Sequence, residues 1–308
     1  MKLGKLIERS IKSLLLAPAT LLRYGTLRPT RARLLDCSNW IHIDPNDRRA
    51  IKKIVHDPIR RRTSSPLVFW RDFLEKLAPE LAIDVGVNYG ECLFGARYPK
   101  KTRVFGFEAN PRLAPYLHKS RNDHPDAPRI TIVEGLVSDA ITPDVPFYAD
   151  PSWSGTGSAV SSLNSGPGVI TTRIQARTLD SVIPRESVNG ATLLFKMDVE
   201  GYEPRAFDGF GETIKAANLA VGFIEFDSTY IREAGVNPES YFETLSRRFD
   251  VHRLSGGKPG RIIKVRSYPD LPVSRAEDKR IHTDLLLSTR GSDIASWLPD
   301  HWNLEGDS

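Results

Sequence analysis

Residues 81–91 read LAIDVGVNYGE, and this stretch restricts the fold more than any other part of the chain. Leu81, Ala82, Ile83 and Val85 form a short apolar run that predicts a buried strand, and Gly86 and Gly90 follow at once, where a helix pattern begins. Strand, glycine turn and helix open a nucleotide-binding βαβ unit. Glycines let the backbone turn sharply and approach a ligand, and the following helix offers free N–H groups. Asp84 stands just before the turn, where a carboxylate can accept hydrogen bonds from a ligand amine or order the loop.

The spacing separates ligand classes. Asn88 stands where the dinucleotide fingerprint G-x-G-x-x-G has its second glycine, and G-x-x-x-x-G-K-[ST] occurs nowhere. What remains is D-x-G-x-N-x-G, whose acid suits a cationic amino-acid moiety better than a pyrophosphate. S-adenosylmethionine is such a ligand. Further on, the run Val104-Phe105-Gly106-Phe107 ends in Glu108, where doubly wound folds place the acid that binds ribose hydroxyls.

With 40% hydrophobic and 26% charged residues in 308, and a mean hydropathy of −0.32, the composition is globular rather than disordered. The net charge of +5 is mild and gathers in the N-terminal quarter. Cys37 and Cys92 stand far apart, in no metal spacing, which argues against a disulfide scaffold and a zinc cluster and predicts a reducing, cytoplasmic setting.

Residues 1–65 read as a basic, helical N-terminal extension. Lys2, Lys5, Arg9 and Lys12 precede Leu14, Leu15, Leu16 and Ala17, a run too short to span a bilayer and broken by Pro18. Two readings stand: a helix lying on an anionic membrane surface, or one packing on its own domain or a partner. The arginine clusters Arg31/Arg33, Arg48/Arg49 and Arg60 to Arg62 lack aromatic interleaving and any nucleic-acid motif, so they are read as a solvated face.

The unit that holds the S-adenosylmethionine site is expected over residues 66–290, with 291–308 as a C-terminal tail. A helix over 66–78 precedes the first strand. Then strands at 81–85, 102–108, 130–133, 192–197 and 220–226 alternate with helices, the first through about Arg97 and the second from Pro111 to about Arg121. Two β runs, 145–149 and 169–178, are joined by a Gly/Ser-rich stretch, 152–168, of the length of a lid or binding loop. Runs at 250–254, 261–265 and 283–288 read as antiparallel strands closing the sheet. The pattern predicts an α/β fold with a doubly wound, mostly parallel sheet.

The motifs DVGVNYG (84–90), FEANP (107–111), TLD (178–180), KMDVEGYE (196–203) and IEFD (224–227) together resemble the FkbM-type methyltransferases, a family of class I S-adenosylmethionine-dependent enzymes. The resemblance covers roughly 81–288 and implies a Rossmann-like, seven-stranded sheet. It implies that Asp84, Gly86, Asn88 and Gly90 hold the methionine part of the cofactor, that Glu108 binds its ribose, and that Ser138 and Asp139 lie near the adenine. Val87 and Ala109 replace the commoner Ala and Pro, neither of which carries a needed functional group. The activity implied is O-methylation of a sugar, glycan or glycan precursor.

Methyl transfer from a sulfonium is an in-line displacement, so the enzyme positions an acceptor behind the methyl carbon and removes water. A hydroxyl acceptor must also lose a proton, to a general base or with help from a divalent metal. Asp84, Glu108, Asp198, Glu200 and Glu225 all fall at strand carboxyl ends, where ligands collect in open α/β sheets. Asp198 stands closest to the acceptor, and Glu200 and Glu225 can orient it, take its proton or ligate a cation. Lys196 either pairs with a carboxylate or touches substrate, Glu203 either serves a helix dipole or catalysis, and Tyr202 and Trp153 either stack on a ring or pack. Two rival functions remain: a metal-dependent glycosyltransferase reading of Asp198-Val199-Glu200 as D-x-D, which leaves the glycines and Asn88 without a role, and a docking module.

Overall fold

The computed structural model describes residues 16–305 apart from Ser165 and Asp278, so the basic residues Lys2 to Lys12 and their expected helix lie outside the described residues. The chain starts with Leu16–Tyr24 (α1), a short antiparallel pair Arg31–Ala32 (β1) and Ile41–His42 (β2), and a helical run of Arg48–Ala50, Ile51–His56 and Asp57–Ile59 (together α2). Asp47 caps α2 by accepting from the Arg49 and Ala50 amides. Ser65–Leu77 (α3) ends where Ala78 turns left-handed ahead of Pro79.

The alternation then runs Leu81–Val85 (β3), Glu91–Gly95 (α4), Arg103–Glu108 (β4), Ala114–Asn122 (α5) and Ile130–Glu134 (β5). Both helices are shorter than the sequence pattern suggests, because side chains intercept their backbone groups. The Gly95 carbonyl accepts from Arg71 at 2.8 Å and the Ala96 carbonyl bonds His124 at 2.9 Å, which stops α4 before Arg97. The Asn110 side chain accepts from the Arg112 amide at 3.1 Å, making a turn that delays α5 to Ala114.

Leu136–Val137 (β6), Thr142–Asp150 (β7), Trp153–Ser158 (β8) and Ile170–Arg177 (β9) form a separate four-stranded sheet in the order β6-β9-β7-β8. The Gly/Ser-rich stretch is therefore not all loop: residues 153–158 fold back on β7 as a strand. The sequence does not announce this strand, because its Ser, Gly and Thr residues carry no hydrophobic period.

The chain returns to the main sheet with Thr192–Met197 (β10), Glu203–Asp208 (α6), Leu219–Asp227 (β11), Ser228–Glu233 (α7), Pro238–Arg248 (α8), Phe249–Leu254 (β12), Arg261–Val265 (β13), Val273–Arg275 (β14), Arg280–Thr289 (β15), Ile294–Trp297 (α9) and Asn303–Glu305 (β16). The order is β16-β13-β12-β15-β11-β10-β3-β4-β5, with β14 on β15. Seven of these, β5-β4-β3-β10-β11-β15-β12, make the expected doubly wound core. β5 to β11 are mutually parallel and β15 runs against them. Strands β13, β14 and β16 extend it to ten among the described residues.

Period-2 alternation sorts the strands between two cores. Leu81, Ile83, Leu193, Phe195, Ala220 and Ile224 face α6 and α8, whereas Ala82, Leu194, Val221 and Phe223 face α3 and the segment before it. Ala32, Leu34, Ile41, Ile43, Ala50, Ile54 and Val55 belong to this second core. Asp84, Lys196, Glu225 and Asp284 share that parity, so the polar side chains at the strand ends emerge on the face that the residues before 65 cover.

Candidate active site

β3 and β10 lie side by side in parallel with Asp84 opposite Lys196, so the strand register alone brings acid and amine together. Lys196 Nζ lies 3.3 Å from Asp84 Oδ1, 3.7 Å from Asp198 Oδ2 and 3.4 Å from the Gly86 carbonyl. Asp84 is 1% exposed. Burial pushes its carboxyl up to about 6, against the pull of Lys196, which it shares with Asp198. Burial works the other way on Lys196, yet two facing carboxylates hold its ammonium above its ordinary range.

Gly86 (φ +79) lets the glycine loop pass under β10: a Cβ there would sit 1.8 Å from the Asp198 carbonyl oxygen. The loop is held on both sides, with the Gly86 amide donating to the Phe107 carbonyl at 3.0 Å and the Asp198 amide to the Val85 carbonyl at 3.0 Å. Glu108, at the end of β4, accepts from the Asn88 amide (2.7 Å) and the Asn110 amide (2.8 Å). Burial raises its pKa against those two donors. Its remaining lone pairs are free for hydroxyl donors.

Asn88 (φ 53) does more than mark the loop. Its Nδ2 donates to the Ser154 carbonyl at 2.9 Å, and its Oδ1 accepts from the Ser154 hydroxyl at 3.1 Å and from Arg49 Nη1 at 3.3 Å. It thus ties the glycine loop to β8 and to α2. Gly90, by contrast, faces Phe94 and starts α4, away from the cavity. Ser138 and Asp139 bond each other at 2.8 Å and reach Tyr202 (3.3 Å) and Arg205 (3.2 Å). The cavity lining stops one residue earlier, at Val137.

A cavity of about 270 Å³ opens over these strand ends, lined by Asp84, Asn88, Glu108, Lys196, Asp198 and Glu200 from the sheet edge, by Arg49 from α2, and by Phe147, Ser154 and Gly157 from the small sheet. At one side Asp198, Glu200 and Glu225 bring one carboxylate oxygen each within 4.8 Å of the others. Burial, then repulsion from Asp198, pushes both Glu200 and Glu225 well above the carboxylate range. Glu200 holds a left-handed backbone at φ 52, a conformation that costs a non-glycine residue energy. Three such carboxylates suit either a shared proton or a hard divalent cation.

Asp284, opposite Glu225 on β15, is a fourth acid, raised to about 6 by burial and by Asp198. His282 Nδ1 stands 3.0 Å from Asp227 and 3.9 Å from Glu225. Sequence reasoning missed Arg49, Ser154, Asp284 and His282. Only Asp284 leaves a signal: an acid directly before the apolar run Leu285 to Leu287. Glu203 accepts from the Val199 amide at 2.9 Å beneath the loop, with burial raising it to about 7. Trp153 and Tyr202 are covered by Lys52 and Arg205, as packing residues.

Ionised Asp84 is the form that favours a sulfonium or ammonium ligand. Because its pKa stands near 6 in the free protein, S-adenosylmethionine is expected to bind more tightly as pH rises from 5 to 7, and the dependence is expected to vanish in Asp84→Asn. Titration calorimetry across that range checks both, and an unchanged pH slope in the variant would contradict them.

A sequence profile described as Methyltransferase FkbM domain matches residues 84–249. No curated protein matches the chain. Among solved structures, an O-methyltransferase from Bacillus cereus in complex with SAH is similar at 10% identity, over 74% of this chain and 81% of that one, with a TM-score of 0.39. The O-methyltransferase TomG from Streptomyces achromogenes, involved in tomaymycin synthesis and in complex with SAM, is 12% identical over 74% and 81%, TM-score 0.36. A SAM-dependent O-methyltransferase from Thermotoga maritima is 13% identical over 77% and 71%, TM-score 0.36. Superpositions this loose assign neither a substrate nor a residue role.

Proposed function

This chain belongs to the FkbM family of S-adenosylmethionine-dependent methyltransferases, and from that premise we propose that it transfers the methyl group to a hydroxyl of a sugar, glycan or glycan precursor. The observation that supports oxygen as acceptor is the carboxylate group Asp198, Glu200 and Glu225, of which Asp198 and Glu200 line the cavity. In the transfer the sulfonium S–C bond breaks as the O–C bond forms, and the hydroxyl proton must leave. Asp198 accepts it; Glu200 and Glu225, whose carboxyls burial pushes well above the usual carboxylate range, stand beside it to orient the acceptor.

On this reading Asp84 and the loop through Gly86 and Asn88 hold the methionine part, Lys196 keeps Asp84 and Asp198 in register, and Glu108 takes the ribose hydroxyls. Phe107, Val137 and Phe147 supply apolar surface for the adenine, with Ser138 and Asp139 behind it. A divalent cation on the three carboxylates is a second reading, favoured by their separation. Loss of activity on adding a chelator would support it, and unchanged activity would exclude a required ion.

No helix among the described residues is long and apolar enough to cross a membrane. Both cysteines are free, in keeping with a cytoplasmic enzyme. The test of the acceptor is incubation with methyl-labelled S-adenosylmethionine and fractionated glycans, lipids and RNA. Label in the glycan or glycan-precursor pool is expected; label confined to RNA or to a sugar-free pool would overturn the sugar assignment.

A further inference from the structure

S-adenosylmethionine brings an anion as well as cations into the cavity. Its sulfonium and ammonium suit Asp84, but its α-carboxylate would meet that same acid, with Asp198 and Glu200 also on the cavity wall. A desolvated carboxylate among carboxylates needs a cation. Four basic side chains line the cavity: Arg49, Lys53, Arg62 and Lys196. Lys196 is engaged by Asp84, Asp198 and the Gly86 carbonyl. Lys53 and Arg62 lie exposed on the rim.

Arg49 is placed differently. Its side chain is 21% exposed, and Gly155 packs so closely that a Cβ there would stand 2.7 Å from Arg49 Cδ. It reaches the glycine loop itself, donating through Nη1 to Glu91 and to Asn88 Oδ1. Nη1 makes both bonds, and among the described residues no hydrogen-bond partner is seen for Nε–H or Nη2 of this cavity-lining side chain. Asp198 and Glu200 both feel its charge, and all three line the same cavity.

We infer that Arg49 binds the α-carboxylate of S-adenosylmethionine, so that a residue outside the FkbM-matched segment 84–249 completes the cofactor site. Glu91 and Asn88 hold the guanidinium in place before the cofactor arrives. The segment before residue 65 is then part of the binding machinery rather than an appendage.

The experiment pairs a change in the protein with the matching change in the ligand. Titration calorimetry would measure S-adenosylmethionine and its decarboxylated analogue against wild type, Arg49→Met and Arg49→Lys, with thermal unfolding of each variant to verify folding. Wild type is expected to prefer the intact cofactor by roughly 10- to 100-fold, the value of a charge-assisted pair. Arg49→Met is expected to lose that preference while binding the analogue as wild type does, and Arg49→Lys to retain part of it. Equal weakening of both ligands in Arg49→Met, or an undiminished preference, would overturn the inference. The inference rests on the cofactor assignment; wild type binding neither compound would remove both.

Discussion

Replacing Asp198 by alanine is expected to lower methyl transfer by roughly 10²- to 10⁴-fold, the usual contribution of a positioned proton acceptor. Affinity for S-adenosylmethionine should stay within about fivefold of wild type, because the Asp198 side chain is 36% exposed and its pair with Lys196 is a long 3.7 Å. The backbone contribution of this residue survives the change, since the Val85 carbonyl accepts from its amide and Gly86 passes under its carbonyl. Asp198→Asn should lose as much turnover, as it keeps the shape and lacks the basic lone pair. Turnover with saturating labelled cofactor and calorimetric binding on the same samples check the division of roles. Matching losses of affinity and turnover would show that Asp198 belongs to the cofactor site instead.

The second large effect concerns stability. Lys196→Met removes the cation from a site where Asp84 is 1% exposed, and breaking a buried pair from one side costs about 3–5 kcal/mol. Asp84 in that variant escapes the cost by holding a proton. Its native pKa then lies even further above its unfolded value than the present value of about 6. The native state binds more protons than the unfolded one across that window, so the loss should be smaller at pH 5 and grow toward pH 8. Asp84→Asn with Lys196→Met should recover more than half of the loss, since no charge is left stranded. Urea unfolding of the two single variants and the double one decides this; additive losses would mean that the two groups do not act as a pair.

Much of this architecture can be read from the amino acids alone. The apolar runs at 81–85 and 192–197 are local signals, and so are the glycines after the first of them. They fix the doubly wound core, and the motif acids land at strand ends as expected. Less visible is anything that depends on packing between distant segments. Arg49 looks like one member of a solvated arginine cluster until α2 is laid across the sheet face that carries Asp84 and Lys196. Asp284 becomes part of the acid group only through its register opposite Glu225. β8 has no hydrophobic period to announce it, and α4 ends early because Arg71 and His124 take its last carbonyls. Ser138 and Asp139 sit in the right strand connection, yet their hydrogen bonds point to Tyr202 and Arg205 rather than into the cavity.

Crystals grown with S-adenosylhomocysteine would test the whole construction in one observation. Density for the ligand is predicted over the glycine loop, with the ribose hydroxyls on Glu108 and the sulfur directed toward Asp198. A ligand bound elsewhere, or a crevice filled by side chains at saturating concentration, would contradict the cofactor site described for this fold.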